Sequence, residues 1–226
     1  MKQWIVTAAA LVALQAGAAP SEHAGHAGHN HGADASQPAA TTVTPAEAKR
    51  GGLQDAAKYF TDLELQTQDG RKVKFFSDVL QGHTVMINVI YTNCKDACPL
   101  LTQQMIGVKQ QLPADMFGKQ IRFVSISSDP VRDTPAALKL FAKKQGADVE
   151  GWTFLTGRKE NIDHILKKLG QYSETVEGHS TLFIAGNVPA KRWSKIRPNA
   201  PVQAIAMRLS ELAAPAGSAE APSTRP

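Results

Sequence analysis

Val85-Met86-Ile87-Asn88-Val89-Ile90-Tyr91-Thr92-Asn93-Cys94-Lys95-Asp96-Ala97-Cys98-Pro99 decides the fold. Its first six residues form an apolar run of the kind a fully buried strand presents. Beyond Pro99, Leu100, Leu101, Met105, Val108 and Leu112 recur at roughly 3–4 residue intervals, which predicts a helix. The chain's 2 cysteines therefore stand where a strand ends and a helix begins. In an open α/β sheet that edge is where ligands bind and chemistry happens.

Working outward, the remaining pattern is an alternation of strands and helices. Leu63, Leu65, Val73 and Phe75 flank Asp69-Gly70, a strong hairpin signal, and Ser77 to Leu80 reads as a short turn or helix. Residues 121–127 alternate as a central strand. Asp133-Thr134-Pro135 starts a helix with a capping side chain and a first-turn proline, running to about Gln145 before Gly146. A strand at 152–155 and an amphipathic helix at 159–169 follow, the helix closed by Gly170. Then come a strand over 181–185, a turn at Gly186-Asn187, a strand at 191–196 and a helix over about 201–212. Helices between strands imply an α/β, three-layer fold. Its central sheet is mixed, with helices on both faces and an N-terminal β-hairpin.

The ends read differently. Residues 1–18 have the form of an export signal: Lys2, an apolar stretch from Trp4 to Leu14, then Ala16-Gly17-Ala18 as a cleavage site. Cleavage yields a soluble periplasmic product with no stable membrane insertion; retention as an N-terminal anchor is the alternative. Residues 19–57 read as a disordered linker containing His23, His26, His29 and His31, a tract whose composition suits loose metal binding. The folded domain is expected at 58–213, and 214–226 as a disordered tail. A net charge of +5, scattered rather than gathered into a stripe, argues against a nucleic-acid partner.

The cysteine pair supports three uses. The helix N-terminus and Lys95 are expected to favour thiolates. A structural disulfide suits an exported chain, but it would close a loop too small to stabilise much. A dithiol–disulfide couple would resemble thioredoxins in layout, with three residues between the cysteines instead of two. A metal site would suit Cu(I), or Cu(II) with added nitrogen, better than closed zinc, which wants four ligands. A third ligand would come from His83, His164 or His179. His83 lies at the wrong end of its strand and His164 reads as a partly exposed helix residue. His179 reaches the cysteines only if its strand runs antiparallel to 84–91.

The run from Tyr91 to Pro99 resembles the signature of the Sco/SenC copper chaperones, as do Ser128-Asp129-Pro130, Arg132-Asp133-Thr134-Pro135, Trp152-Thr153-Phe154-Leu155-Thr156-Gly157 and His179-Ser180. The resemblance implies a thioredoxin-like fold and a copper ion held by Cys94, Cys98 and His179, with Asp129 in support. Lys95 stands where that family usually has proline. His179-Ser180-Thr181 occupies the place of the cis-proline that thioredoxins set beside their cysteines. The implied role is a metallochaperone serving the binuclear copper centre of a cytochrome oxidase subunit, or keeping that centre's thiols reduced. A thioredoxin-like reductant would be a partner. Two alternatives use the same residues differently: a thiol–disulfide oxidoreductase, and a copper storage or detoxification protein led by the histidine tract.

Overall fold

The computed structural model describes residues 57–215. The stretch read as an export signal, the histidine tract and most of the stretch read as a tail lie outside these residues.

Seven strands form one sheet: β1 (Glu64–Thr67), β2 (Lys72–Lys74), β3 (Thr84–Ile90), β4 (Ile121–Ser127), β5 (Trp152–Thr156), β6 (Phe183–Asn187) and β7 (Arg192–Ile196). Their order is β2-β1-β5-β4-β3-β6-β7. The inner trio β5, β4 and β3 is parallel, and the strands outside it pair antiparallel. The parallel trio needs crossovers, supplied by α1 (Ala97–Gln111) and α2 (Pro135–Gln145). The helices α3 (Lys159–Leu169) and α4 (Val202–Ala213) follow, a helical turn at 57–60 precedes the sheet, and a π-helical turn at Phe75–Leu80 follows the hairpin. The sheet is mixed and its opening hairpin is where the sequence places it.

All seven residues of β3 are buried, because helices cover both faces of the sheet. The strand's two-residue period divides the core. Met86 and Ile90 pack with Leu101 and Met105 of α1, Phe141 of α2 and Leu209 of α4. Val85, Ile87 and Val89 pack on the other side with Phe75, Leu80, Ile162 and Ile165. Of the two polar residues in β3, Thr84 and Asn88, the central Asn88 accepts from Ser125 Oγ at 2.7 Å, and Trp152 Nε1 donates to that hydroxyl at 3.0 Å. Helix ends follow the sequence signals: Gly146 and Gly170 adopt φ of 74° and 64°, left-handed values that let the chain leave α2 and α3.

The capping side chain expected at the start of α2 is that of Thr134, its Oγ1 accepting from the Ala137 N–H at 3.2 Å. One local reading changes. The turn expected at Gly186-Asn187 is absent. Both residues pair inside β6, Gly186 opposite Val85 and Trp193. The chain turns over 188–191 instead, with Lys191 at φ 55°. The reason is packing. The Trp193 indole lies on Gly186 so closely that a Cβ there would come within 2.2 Å of the ring. This glycine makes room for a side chain; it does not turn the backbone.

Gly186→Ala should therefore lower stability by about 1–3 kcal/mol, the usual cost of overpacking, read from the denaturant midpoint. In a Trp193→Ala background most of that penalty should disappear. An equal penalty in both backgrounds would rule out the indole as its cause.

Candidate metal centre

The antiparallel pairing of β6 with β3 decides the geometry. Ile87 stands opposite Ile184 and Thr84 opposite Asn187, so the residues just before β6 lie at the carboxyl end of β3. The segment 171–182 thus brings His179 to the edge that carries the cysteines. His83 sits at the other end of β3, its Nδ1 2.7 Å from the Gln81 carbonyl. His164 is exposed on α3.

Cys94 and Cys98 are free thiols, Cys94 half-buried in the loop and Cys98 buried in the first turn of α1. The Cys98 N–H donates to Cys94 Sγ at 3.2 Å. The two sulfurs share one hydrogen-bonded site but differ sharply in acidity. Burial works against ionisation of Cys94. The Cys98 thiol, the N–H groups of Cys98 and Asp96 and the Tyr91 hydroxyl all donate to its sulfur, and together bring it below the ordinary thiol value. Burial, then the hydrogen bond to Cys94, push Cys98 up to about 12. Against the expectation that both sulfurs would be activated, the surroundings favour ionisation of Cys94 and oppose that of Cys98. Hydrogen-bond donors, rather than the exposed Lys95, do most of the activating.

Tyr91 joins the two halves of the site. Its hydroxyl serves Cys94, which raises the phenol to about 12. Its ring meets the His179 ring edge-on, with centroids 6.1 Å apart at 82°. His179 is buried, and burial lowers its pKa despite the nearby Ser180 carbonyl and Glu177. Burial thus favours the neutral imidazole. Nδ1 lies 3.2 Å from the Ser180 carbonyl, an oxygen that only accepts. The proton therefore belongs on Nδ1 and the Nε2 lone pair stays available. Among the described residues, no three side chains of His, Cys, Asp or Glu converge closely enough to hold an ion. The cysteines stand together, with His179 adjacent across Tyr91.

Asp133, which the sequence placed at a helix start without a role of its own, lies buried beside the site. Its buried carboxylate accepts from the Thr92 N–H at 3.1 Å, the Thr92 hydroxyl at 2.5 Å and the Ser127 hydroxyl at 2.6 Å. That pins the segment leading to Cys94 onto the end of β4. Asp129 instead shapes the turn: its carboxylate pairs with Arg132, and its carbonyl accepts from the Asp133 N–H at 2.9 Å. Ser128 ties in the histidine segment, its N–H donating to the Ile90 carbonyl at 2.8 Å and its hydroxyl to the Val176 carbonyl at 3.1 Å. The quoted Ser128-Asp129-Pro130 segment carried that signal, but no spacing rule reveals which oxygen a serine will reach.

The family model described as SCO1/SenC matches residues 51–212. The chain belongs to the SCO1/SenC family. A SCO1 protein homolog from Bacillus subtilis is 35% identical over 110 residues, covering 48% of this chain and 55% of that one. A Stutzerimonas stutzeri protein, whose name assigns copper binding provisionally, is 33% identical over 129 residues, covering 55% of this chain and 61% of that one. The chain thus spans little more than half the length of these curated relatives. Among solved structures, BsSco, described with a disulfide switch and as a member of the Sco family of cytochrome c oxidase assembly proteins, superposes with a TM-score of 0.58. It is 27% identical, and the match covers 68% of this chain and 92% of that one. The fold is thioredoxin-like. No helix among the described residues is long and apolar enough to cross a membrane.

The acidity difference predicts ordered labelling. Cys94, depressed below the ordinary thiol value, keeps its thiolate as pH falls until that lowered pKa is passed, whereas Cys98 stays protonated throughout the neutral range. Substoichiometric iodoacetamide near neutral pH should alkylate Cys94 first by at least about tenfold, as counted by peptide mass spectrometry. Equal labelling would contradict the assignment.

Proposed function

We propose that this chain is a periplasmic copper metallochaperone whose cargo is held by Cys94, Cys98 and His179. The observation carrying the reading is that one hydrogen-bonded thiol pair and one neutral imidazole share the carboxyl edge of β3, both against Tyr91. Soft sulfur donors with a single nitrogen suit Cu(I), and the same set accommodates Cu(II).

Each residue has a distinct task. Cys94, already favoured as the thiolate, makes the first bond to the ion. Cys98 then exchanges its proton for the metal, releasing one proton on loading. His179 donates through Nε2, its Nδ1 proton anchored on the Ser180 carbonyl. The segment 171–182 must shift for that nitrogen to join the sulfurs. Delivery reverses the order, with thiolates of an acceptor displacing these ligands one at a time. The acceptor we infer is an oxidase subunit with a binuclear copper centre, in keeping with the oxidase-assembly description of the Sco family that BsSco carries. The pair must be reduced to bind, so a thiol reductant is a second partner. Asp129 supports the site through the turn that presents Asp133 and Ser128.

Anaerobic Cu(I) titration checks the reading, using proteins that lack residues 23–31. The parent should bind one equivalent tightly. Cys94→Ser should lose tight binding, and His179→Ala should weaken it by about 10–100-fold, the range over which supporting groups tune metal affinity. Equal tight stoichiometry in all three would overturn the assignment.

A second reading has its own observation: one activated thiolate beside one buried thiol is the arrangement of an attacking and a resolving cysteine. Cys94 would attack a substrate disulfide. Cys98 would then displace the bound substrate sulfur, leaving Cys94–Cys98 oxidised and the substrate as two thiols. Turnover on a disulfide substrate that persists in His179→Ala without copper supports this enzyme; its absence leaves the metallochaperone alone.

A further inference from the structure

A groove of about 490 Å³ opens beside Cys94, between the start of α1 and the flank of α2. Pro99, Leu140 and Phe141 give it an apolar wall, and Lys95 and Lys144 stand at its rim. Leu140 is 69% exposed, a large apolar side chain left in water beside a reactive sulfur. Ala137, Leu140 and Lys144 fall on one face of α2, three and four residues apart. The groove is preformed, because Gln103 Nε2 on α1 donates to the Gln145 carbonyl at the end of α2 at 2.9 Å.

Its charge is one-sided. No carboxylate lines it, and among the described residues neither Lys95 nor Lys144 has a carboxylate partner. Neither Tyr91 nor His179 lines it either. A molecule seated there reaches Cys94 without occupying the place of the imidazole.

We propose that this groove seats an extended segment of the partner polypeptide, in which a cysteine is flanked by an apolar residue and by carboxylates. The apolar residue covers Leu140 and Pro99, the carboxylates pair with Lys95 and Lys144, and the partner's sulfur meets Cys94. A small hydrophilic thiol would leave the Leu140 wall uncovered, which favours a polypeptide. The inference rests on the delivery reading for its biological sense, but it is tested without copper.

The probe is a synthetic peptide with one cysteine activated as its 2-pyridyl disulfide, flanked by leucine and two glutamates. Its counterpart carries lysines in place of the glutamates. The protein is the full chain with Cys98→Ser, so that the product accumulates. The Cys94 thiolate attacks the peptide sulfur, a Cys94–peptide S–S bond forms, and the S–S bond to the pyridyl group breaks. The leaving thiolate takes a proton to become 2-thiopyridone, whose absorbance reports the rate.

At low salt the acidic peptide should react about tenfold faster than the basic one, with the advantage shrinking as salt is raised. The pair Lys95→Glu and Lys144→Glu should abolish that preference, and Leu140→Ser should slow both peptides. The uncharged 2-hydroxyethyl 2-pyridyl disulfide gives the intrinsic thiol reactivity of each variant, and peptide rates are read as ratios to it, which separates docking from any change in Cys94 itself. A preference that is absent, or that survives charge reversal, overturns the proposal. Glutathione 2-pyridyl disulfide reacting as fast as the acidic peptide overturns it in favour of a small acidic thiol. The charge-reversed protein carrying native Cys98 should still bind Cu(I) like the parent. Failure of copper binding in the parent would sink the delivery reading while leaving the docking result intact.

Discussion

One buried carboxylate holds the working end of the sheet together. Asp133 gathers the Thr92 amide and hydroxyl from the cysteine segment and the Ser127 hydroxyl from the end of β4. Two of the donors belong to Thr92, just past the end of β3, and the third to Ser127 at the end of β4, where its hydroxyl is buried. Leaving such donors unpaired in the interior costs about 1–3 kcal/mol each. The cysteine segment is therefore not a free loop. It is clamped at Thr92, two residues before Cys94, and clamped again where Cys98 enters α1. Between these clamps the backbone presents N–H groups to the Cys94 sulfur, and the acidity of that thiol follows from the clamping.

The two cysteines then differ because they lie on either side of the helix boundary. Cys94 precedes α1 and receives its hydrogen bonds; Cys98 is already inside the first turn, packed with Ile90 and Leu101. A helix N-terminus activates the atom its N–H groups point at, and that is the sulfur in front of the helix. Burial does the opposite to the sulfur behind. The same four-residue spacing that sets the thiols on one face also places them in opposite electrostatic environments.

The layered fold was legible from the strand-and-helix alternation, since β3, β4, β5 and α3 carry unbroken periodicities. The thiol pair and His179 were legible too, His179 conditionally on the strand direction that the β3–β6 pairing supplies. Other features were not, for physical reasons. A Gly-Asn pair reads as a turn, but Gly186 is small because Trp193, several residues later, lies over it. Asp133-Thr134-Pro135 reads as a capped helix start, but that pattern does not say that Thr134 takes the cap while the Asp133 carboxylate turns inward. Charge next to a thiol reads as activation, whereas hydrogen-bond geometry, invisible in sequence, separates Cys94 from Cys98. Periodicity reports which side is buried; it does not report which buried polar atoms meet.

The antiparallel return of β6 has a temporal side. Strands β3, β4 and β5 follow one another with a helix between each, so the thiol pair rests on contacts of modest sequence separation. The imidazole arrives only after β6 has come back across β5 and β4 to pair beside β3, a contact of high order that forms against a larger loop-closure entropy. A chain interrupted between Cys98 and Phe183 holds both thiols but lacks the strand that brings the imidazole beside them. Completeness of the site is thus tied to completeness of the sheet, and a partly threaded or partly synthesised chain carries a dithiol without its histidine neighbour.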